Sequence, residues 1–475
     1  MTPRNTRVQR TVLAVAVLAT FIAFLDGSVV NVALPAIGRE LGGGLAAQQW
    51  IVDAYLLTLG SVILLAGSLS DLFGRRRVLL WGLIGFGVAS VLCAAAPTAG
   101  ILIVARGLQG VAGALLVPSS LALILSAFQG AAQARAIGVW TAITSLASIA
   151  GPIVGGVLVD TLSWRWVFAI NLLPIAAALL LVRALPADAA RTAGARVDWF
   201  GALLGVVGLG LPVFALIESG RFGWGSPVIL GALALGAAGL VAFLLWERRV
   251  ASPMLPLSIF RERDFSAGNV ATAFLYGGVG VGTFALALFL QQGAGYSATA
   301  AGFAMVPSSV LLIALAAVFG RLSGRVGPRL LMTVGPAVAG VGFLLMLRII
   351  ADADYLTQVL PAVCAFGLGM AITVAPLTAT VLGAVDSGRA GIASAVNNAV
   401  SRVAGLIAVA LAGSVGGATI QLTGFHTLVS GAALASFAGA IVSGVWIRNP
   451  RPVPVATAGD HTGGAAVTHP DLQRS

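Results

Sequence analysis

Four ionisable side chains stand inside runs of sequence that are otherwise almost wholly apolar. Asp26 lies in FIAFLDGSVVNVALP, Asp53 in QQWIVDAYLL, Arg106 in ILIVARGLQGVAGA and Arg402 in GIASAVNNAVSRVAG. An ionisable group in a membrane-depth segment costs roughly 2.5–3.5 kcal/mol on insertion scales, so such groups are expected to face one another or a water-filled cavity. The chemistry they could do is proton exchange. Burial favours the protonated carboxyl and a nearby arginine favours the ionised one, so an arginine that moves can load and unload a proton. Asp26 is the first candidate for that role, Asp53 the second, and Arg106 their modulator. The competing reading makes Asp26 and Arg106 a structural ion pair.

The elements that must position these groups follow from composition. Of 475 residues, 59% are hydrophobic and only 9% charged, against roughly 25% charged in a soluble domain. A bilayer is therefore the expected solvent, and every span must be helical because lipid offers bare backbone no partner. Apolar runs of spanning length fall at 12–34, 49–69, 78–96, 100–123, 136–159, 165–184, 199–217, 228–246, 266–290, 300–320, 330–350, 356–381, 392–415 and 424–446. This predicts an all-α integral membrane protein with fourteen spans. At 1.5 Å per residue, Asp26 lies about 21 Å along the first span, while Asp53 and Arg106 lie about 6 Å and 9 Å down from the opposite face. In a core ~30 Å thick the three share one layer. Arg402 lies about 15 Å into the thirteenth span.

All 27 basic side chains are arginine, and only Arg39, Arg165, Arg221 and Arg348 fall in loops on the side away from the N-terminus. That bias stays in phase along the chain and predicts both termini in the cytoplasm. The basic N-terminus resembles a signal peptide, but its apolar run exceeds the 7–15 residues of a signal core, so a retained first span is expected. Longer polar connections bracket the seventh and eighth spans. The expected organisation is a short cytoplasmic N-terminus (1–11), a six-helix bundle (12–184), a linker with two inserted helices (185–265), a second six-helix bundle (266–446) and a disordered cytoplasmic tail (447–475).

Several function classes lose support. The net charge of +11 is scattered between apolar runs rather than gathered on one face, which argues against nucleic acid. Cys93 and Cys364 lie in separate apolar runs, and His426, His461 and His469 sit at a helix edge and in the tail, so neither a metal site nor a histidine-based catalytic site is expected. No GxxxxGK[ST] run occurs, so ATP drive has no support and no cofactor is expected.

GSLSDLFGRRR (67–77) and GRLSGRVGPR (320–329) align without gaps, with Gly67, Leu69, Ser70, Gly74 and Arg76 falling on Gly320, Leu322, Ser323, Gly327 and Arg329. Each follows the second span of its half, as expected of a parallel repeat. GSLSDLFGRRRVLL resembles the signature loop of the major facilitator superfamily. ARGLQGVAGA and SIAGPIVGG resemble its markers in the fourth and fifth spans, and LDGSVVNVALP, WRWVFAIN and GIASAVNNAVSRVAG are similar to its fourteen-helix drug:proton antiporter branch.

The resemblance implies two six-helix bundles, plus two inserted helices, that rock about a central site. It implies that Asp71, with Gly67, Gly74, Arg75 and Arg76, forms a gating loop that locks against the opposite half. It implies that Gly151, Pro152, Gly155 and Gly156 form the antiporter motif, whose close helix packing biases exchange toward export; generic packing is the plainer reading of those glycines. Asn31, Gln109, Asn398 and Arg402 are candidate cavity groups. Arg402 either is structural or meets an anionic or zwitterionic substrate. The expected partners are a small amphipathic molecule, protons and the lipid bilayer, with the protein acting as a monomer. A dedicated exporter of one endogenous metabolite or lipid is the alternative. A membrane enzyme or channel lacks a catalytic constellation or a pore filter.

Overall fold

The computed structural model describes residues 3–185, 197–251, 253–386, 389–416 and 420–449. The expected disordered tail lies outside the described residues from 450 onward, as does much of the first polar connection. The described residues are helical throughout, with no strand. In chain order the helices are α1 (Pro3–Leu41), α2 (Gly44–Phe73), α3 (Arg75–Ala94), α4 (Ala99–Ala127), α5 (Gly130–Thr161), α6 (Trp166–Ala169), α7 (Leu172–Val182), α8 (Trp199–Phe222) and α9 (Pro227–Glu247). There follow α10 (Arg263–Gln292), α11 (Ala298–Ala304), α12 (Val306–Val326), α13 (Pro328–Leu345), α14 (Leu360–Gly383), α15 (Ala390–Gly416) and α16 (Leu422–Trp446). Among the described residues, eleven helical segments are long and apolar enough to cross a membrane, and Ala150–Thr161 and Trp166–Val182 are shorter apolar stretches.

Two predicted spans are each split into two helices, and proline explains both. Pro174 stands three residues into α7 and has no N–H for the Ile170 carbonyl. Pro307, at the second position of α12, likewise leaves the Phe303 carbonyl without its helical partner. The first break matters for the site, because Asn171 stands in it.

α1 packs on α4, α5 and α7, α2 and α3 pack on α4, and these helices form one bundle. α10 packs on α15 and α16, α13 on α14 and α16, and α12 on α14, forming a second bundle. Large apolar side chains such as Val104, Leu235, Leu434 and Ile441 point outward and stay uncovered, as a lipid-facing surface requires. α8 and α9 form a hairpin outside both bundles. Val213 and Ile217 of α8 cluster with Leu406 and Ala410 of α15, and Trp50, Leu56 and Leu57 of α2 pack against them. The Trp50 indole donates to Glu218 of α8 at 3.0 Å. The hairpin therefore covers the seam between α2 and α15.

The repeated loops adopt the same turn. Gly74 (φ +94°) and Gly327 (φ +84°) each end one helix and begin the next, each in a conformation that disfavours any side chain. The Gly74 N–H donates to the Ser70 carbonyl and the Gly327 N–H to that of Ser323, both at 3.0 Å. The aligned residues thus do the same job twice.

Candidate functional site

The fourth helix brings Arg106 to the first. Arg106 Nη1 donates to Asp26 Oδ2 at 2.5 Å, and both residues are essentially excluded from solvent at 1% and 0% exposure. The other carboxylate oxygen of Asp26 accepts from Gln109 Nε2 at 3.0 Å and Asn171 Nδ2 at 2.8 Å. Arg106 also donates Nη1 to Gln109 Oε1 (2.6 Å) and Nε to the Ile51 carbonyl (3.0 Å). Its guanidinium lies 4.3 Å from the centroid of the Tyr55 ring, a cation–π arrangement. Ser90 of α3 accepts from Gln109 at 3.0 Å. One network thus ties α1, α2, α3, α4 and the α6–α7 break together. Removing one partner of a buried pair strands a charge and costs about 3–5 kcal/mol.

Asp53 does not join this network. It is fully buried, and neither carboxylate oxygen has a hydrogen-bond partner among the described residues. Arg106 donates instead to the backbone carbonyl of Ile51, two residues before Asp53. An unpartnered buried charge is costly, so this carboxyl differs chemically from that of Asp26.

Beside the network, between the bundles, lies a cavity of about 490 Å³. Asn31 of α1, Asn398 and Arg402 of α15, Arg106 of α4 and Tyr276 of α10 line it. Gln109 does not line it. Lying one helical turn beyond Arg106, it turns into the first bundle, where Asp26, Ser90 and the Cys93 thiol (3.6 Å) engage both ends of its amide. The expectation of Gln109 as a cavity group is therefore corrected. Asn171 and Ser90 went unrecognised in the sequence. Asn171 stands in WRWVFAIN next to the proline-induced break, and that polar residue at a helix interruption was the available signal.

The bundles meet at the end of the molecule opposite the α2–α3 turn. Gln49 of α2 donates to the carbonyls of Val409 (2.5 Å) and Ala410 (3.0 Å) of α15. Gln291 of α10 donates to the Val32 carbonyl of α1 at 3.1 Å. Asp160 at the end of α5 accepts from the backbone N–H groups of Ala298 and Thr299 at the start of α11, at 3.2 and 2.7 Å. The small residues of α5 permit these approaches on two faces. A Cβ on Gly155 would stand 2.6 Å from Val29 of α1, and one on Gly156 would stand 2.6 Å from the Ala298 carbonyl of α11. Gly151 abuts Ser28 of α1, and the Pro152 carbonyl abuts Gly302. The motif is thus a double seam, inside one bundle and across to the other.

In the signature loop, Arg75 donates to the Ala122 carbonyl of α4 (3.1 Å) and Arg76 to the Val182 carbonyl of α7 (3.2 Å). These contacts brace the start of α3 within its own bundle. Gly67 and Asp71 lie in α2, outside the residues whose side chains are described.

Comparison with known proteins agrees with this architecture. The profile of the Major Facilitator Superfamily matches residues 16–409. The puromycin resistance protein of Streptomyces alboniger is 38% identical over 87% of this chain and 83% of its own. The multidrug resistance protein Stp of Mycobacterium tuberculosis is 35% identical over 88% and 78% respectively. The cephamycin export protein of Amycolatopsis lactamdurans is 32% identical over 93% and 90%. A crystal structure of a peptide transporter in complex with sulfate superimposes with a TM-score of 0.67 at 15% identity, covering 91% of this chain and 93% of that one, which speaks to the fold alone. The chain belongs to the Major Facilitator Superfamily. Within it, the chain falls in the drug-efflux branch and is a multi-pass membrane transporter.

Proposed function

We propose that this protein is a proton-coupled exporter of small amphipathic drugs or antibiotics. It works as a monomer in the cell membrane, by alternating access of its two bundles to one central cavity, with both termini in the cytoplasm. The observation that carries the reading is the fully buried Asp26–Arg106 pair beside a cavity walled by both bundles. The bias of arginines toward the α2–α3 end supports a cytoplasmic position for that end. The cross-bundle bonds of Gln49, Gln291 and Asp160 then lie toward the outside, so this conformation offers the cavity to the cytoplasm.

Coupling follows from the network. Protonating Asp26 would put an O–H where an acceptor now stands and leave Arg106 without its counter-charge. Arg106 touches both the network and the cavity, so its release changes the cavity wall as well as the ties among α1, α2, α4 and α7. Asp53, buried and without a hydrogen-bond partner among the described residues, is the second proton site. The double glycine seam of α5 supplies the surface on which one bundle rocks against the other, and the loop carrying Asp71 closes the cytoplasmic side when the cavity opens outward.

The test is transport of a panel of antibiotics by the full chain in everted vesicles under an imposed pH gradient. Wild type is expected to transport, a protonophore to abolish it, and Asp26→Asn to lose gradient-driven transport at normal expression. Full transport by Asp26→Asn would remove Asp26 from the coupling role, and insensitivity to the protonophore would remove proton coupling. Dedicated export of one endogenous compound stays as a second reading, because relatives include the cephamycin export protein and a probable actinorhodin transporter. Absence of resistance to any drug of a broad panel would favour it.

A further inference from the structure

We infer that the central cavity selects amphipathic molecules bearing an anionic group, and that Arg402 is the side chain that holds that group. This rests on the reading of the cavity as the cargo site, and it concerns the charge of the cargo.

The charge lining the cavity is unbalanced. Two arginines line the cavity, and among the described lining residues there is no aspartate or glutamate. Arg106 has its counter-ion in Asp26. Arg402 has none, and among the described residues its guanidinium makes neither an ion pair nor a hydrogen bond. Its recorded partner is the face of Phe24 of α1, 5.3 Å from guanidinium carbon to ring centroid. A guanidinium carries five N–H donors in a planar fork that matches a carboxylate or phosphate, and those donors have no acceptor among the described residues.

Position rules out the bland explanation. Arg402 stands near the middle of α15, about 18 Å from the first residue of the helix by the α-helical rise. A side chain there is too deep to snorkel to an interface. A structural arginine at that depth would have acceptors, as Arg106 has three. An arginine without them marks a place where the acceptor arrives with the ligand.

The surroundings fit an amphipathic anion. Asn398 and Ser401, on the same stretch of helix, and Tyr276 and Asn31 across from it supply polar groups, while Phe24 and Phe284 supply aromatic surface. An acidic group on Arg402 and an apolar body against the aromatic side chains would satisfy both halves of the lining. A cationic cargo would instead meet an uncompensated positive charge.

The test compares a matched pair of probes on the purified full chain in zwitterionic-lipid nanodiscs: pyrenebutyrate and its uncharged methyl ester, with ethidium as the cation. Wild type is expected to bind the acid about tenfold more tightly than the ester. Arg402→Gln is expected to erase that preference while keeping ester binding, which shows the variant is folded, and Arg402→Lys to keep most of it. Ethidium binding should be unchanged or tighter in Arg402→Gln. Equal binding of acid and ester by wild type, or an undiminished preference in Arg402→Gln, overturns the inference while leaving drug export standing. Failure of every probe to bind wild type overturns both. In nanodiscs containing phosphatidylglycerol, undiminished acid binding supports a free amphiphile, whereas displacement of the acid would assign the site to a lipid headgroup and overturn the cargo claim.

Discussion

At Gly74 and again at Gly327 the chain makes one turn twice, with the same serine carbonyl accepting the same N–H. Midway along the bundles the likeness ends. In the first, an arginine is held by a carboxylate, an amide and a backbone carbonyl, all buried. In the second, Arg402 faces a cavity with an aromatic ring for company. The duplicated part is a glycine turn between two helices; the divergent part is the charged layer midway along them. Arg106 is satisfied within its own bundle, whereas among the described residues Arg402 has neither an ion pair nor a hydrogen bond.

The sharpest way to break this contrast is to neutralise each arginine in turn. Arg106→Met strands Asp26 in a dry interior and is expected to cost about 3–5 kcal/mol of stability, read as a large fall in the thermal midpoint of the detergent-purified protein. The double variant Asp26→Asn/Arg106→Gln should recover a substantial part of that loss, because no unpaired charge remains. Arg402→Met is expected to stay within about 1 kcal/mol of wild type, since it removes a charge with no counter-ion among the described residues. Equal destabilisation by the two arginine variants would mean that Arg402 is also structural, and the contrast between bundles would fail.

A second comparison lies within α5, between neighbouring glycines that face different bundles. Forcing a valine into a packed seam costs about 1–3 kcal/mol. At Gly155, against Val29, that cost should lower the thermal midpoint. At Gly156, against the Ala298 backbone, it should appear as separation of the two bundles, with each still folded. Spin-label distances between α5 and α11 read the difference, and a lengthened distance only for Gly156→Val is the expected result.

These contrasts also show where the sequence stops being informative. The spans, the duplicated loop and the pairing of Asp26 with Arg106 were legible because each rests on a residue too costly to place idly in an apolar run. The direction in which a polar side chain points was not. Gln109 reads as a cavity group because its span is apolar on most faces, and nothing in that pattern fixes the rotation of the helix about its own axis. Asn171 owes its place to a break made by Pro174 three residues later, so its contact with Asp26 depends on a local kink rather than on spacing. Asp160 lies at a helix end, where a charged residue is ordinarily solvated, and its role depends on α11 arriving from the other bundle.

The two turn glycines give a third test, in which the bundles should agree. Alanine at either position must adopt a backbone conformation that only glycine visits freely, at about 1–3 kcal/mol. Gly74→Ala and Gly327→Ala are each expected to lower the thermal midpoint by similar amounts. A large effect at one and none at the other would show that the repeated turn is needed in one bundle only.

The smallest expected effect compares two seams between the bundles at the end opposite the α2–α3 turn. The α2–α15 seam is made by a buried, neutral side chain, Gln49, on two carbonyls. The α5–α11 seam is made by Asp160, an exposed carboxylate on two N–H groups. A carboxylate offers both oxygens as acceptors, whereas an asparagine offers one oxygen and an amide that cannot accept. Asp160→Asn therefore keeps at most one of the two bonds. Losing one such bond at a solvated site is worth about 1 kcal/mol, which is roughly a fivefold change in a two-state population. The bundles should still fold and the cavity should still bind cargo, because Asp160 touches neither the buried network nor the cavity lining. The change should appear only as a larger fraction of molecules with the two bundles parted at this end, in a distance distribution measured between the end of α5 and the start of α11. An unshifted distribution would leave the Gln49 seam as the contact that holds this conformation closed.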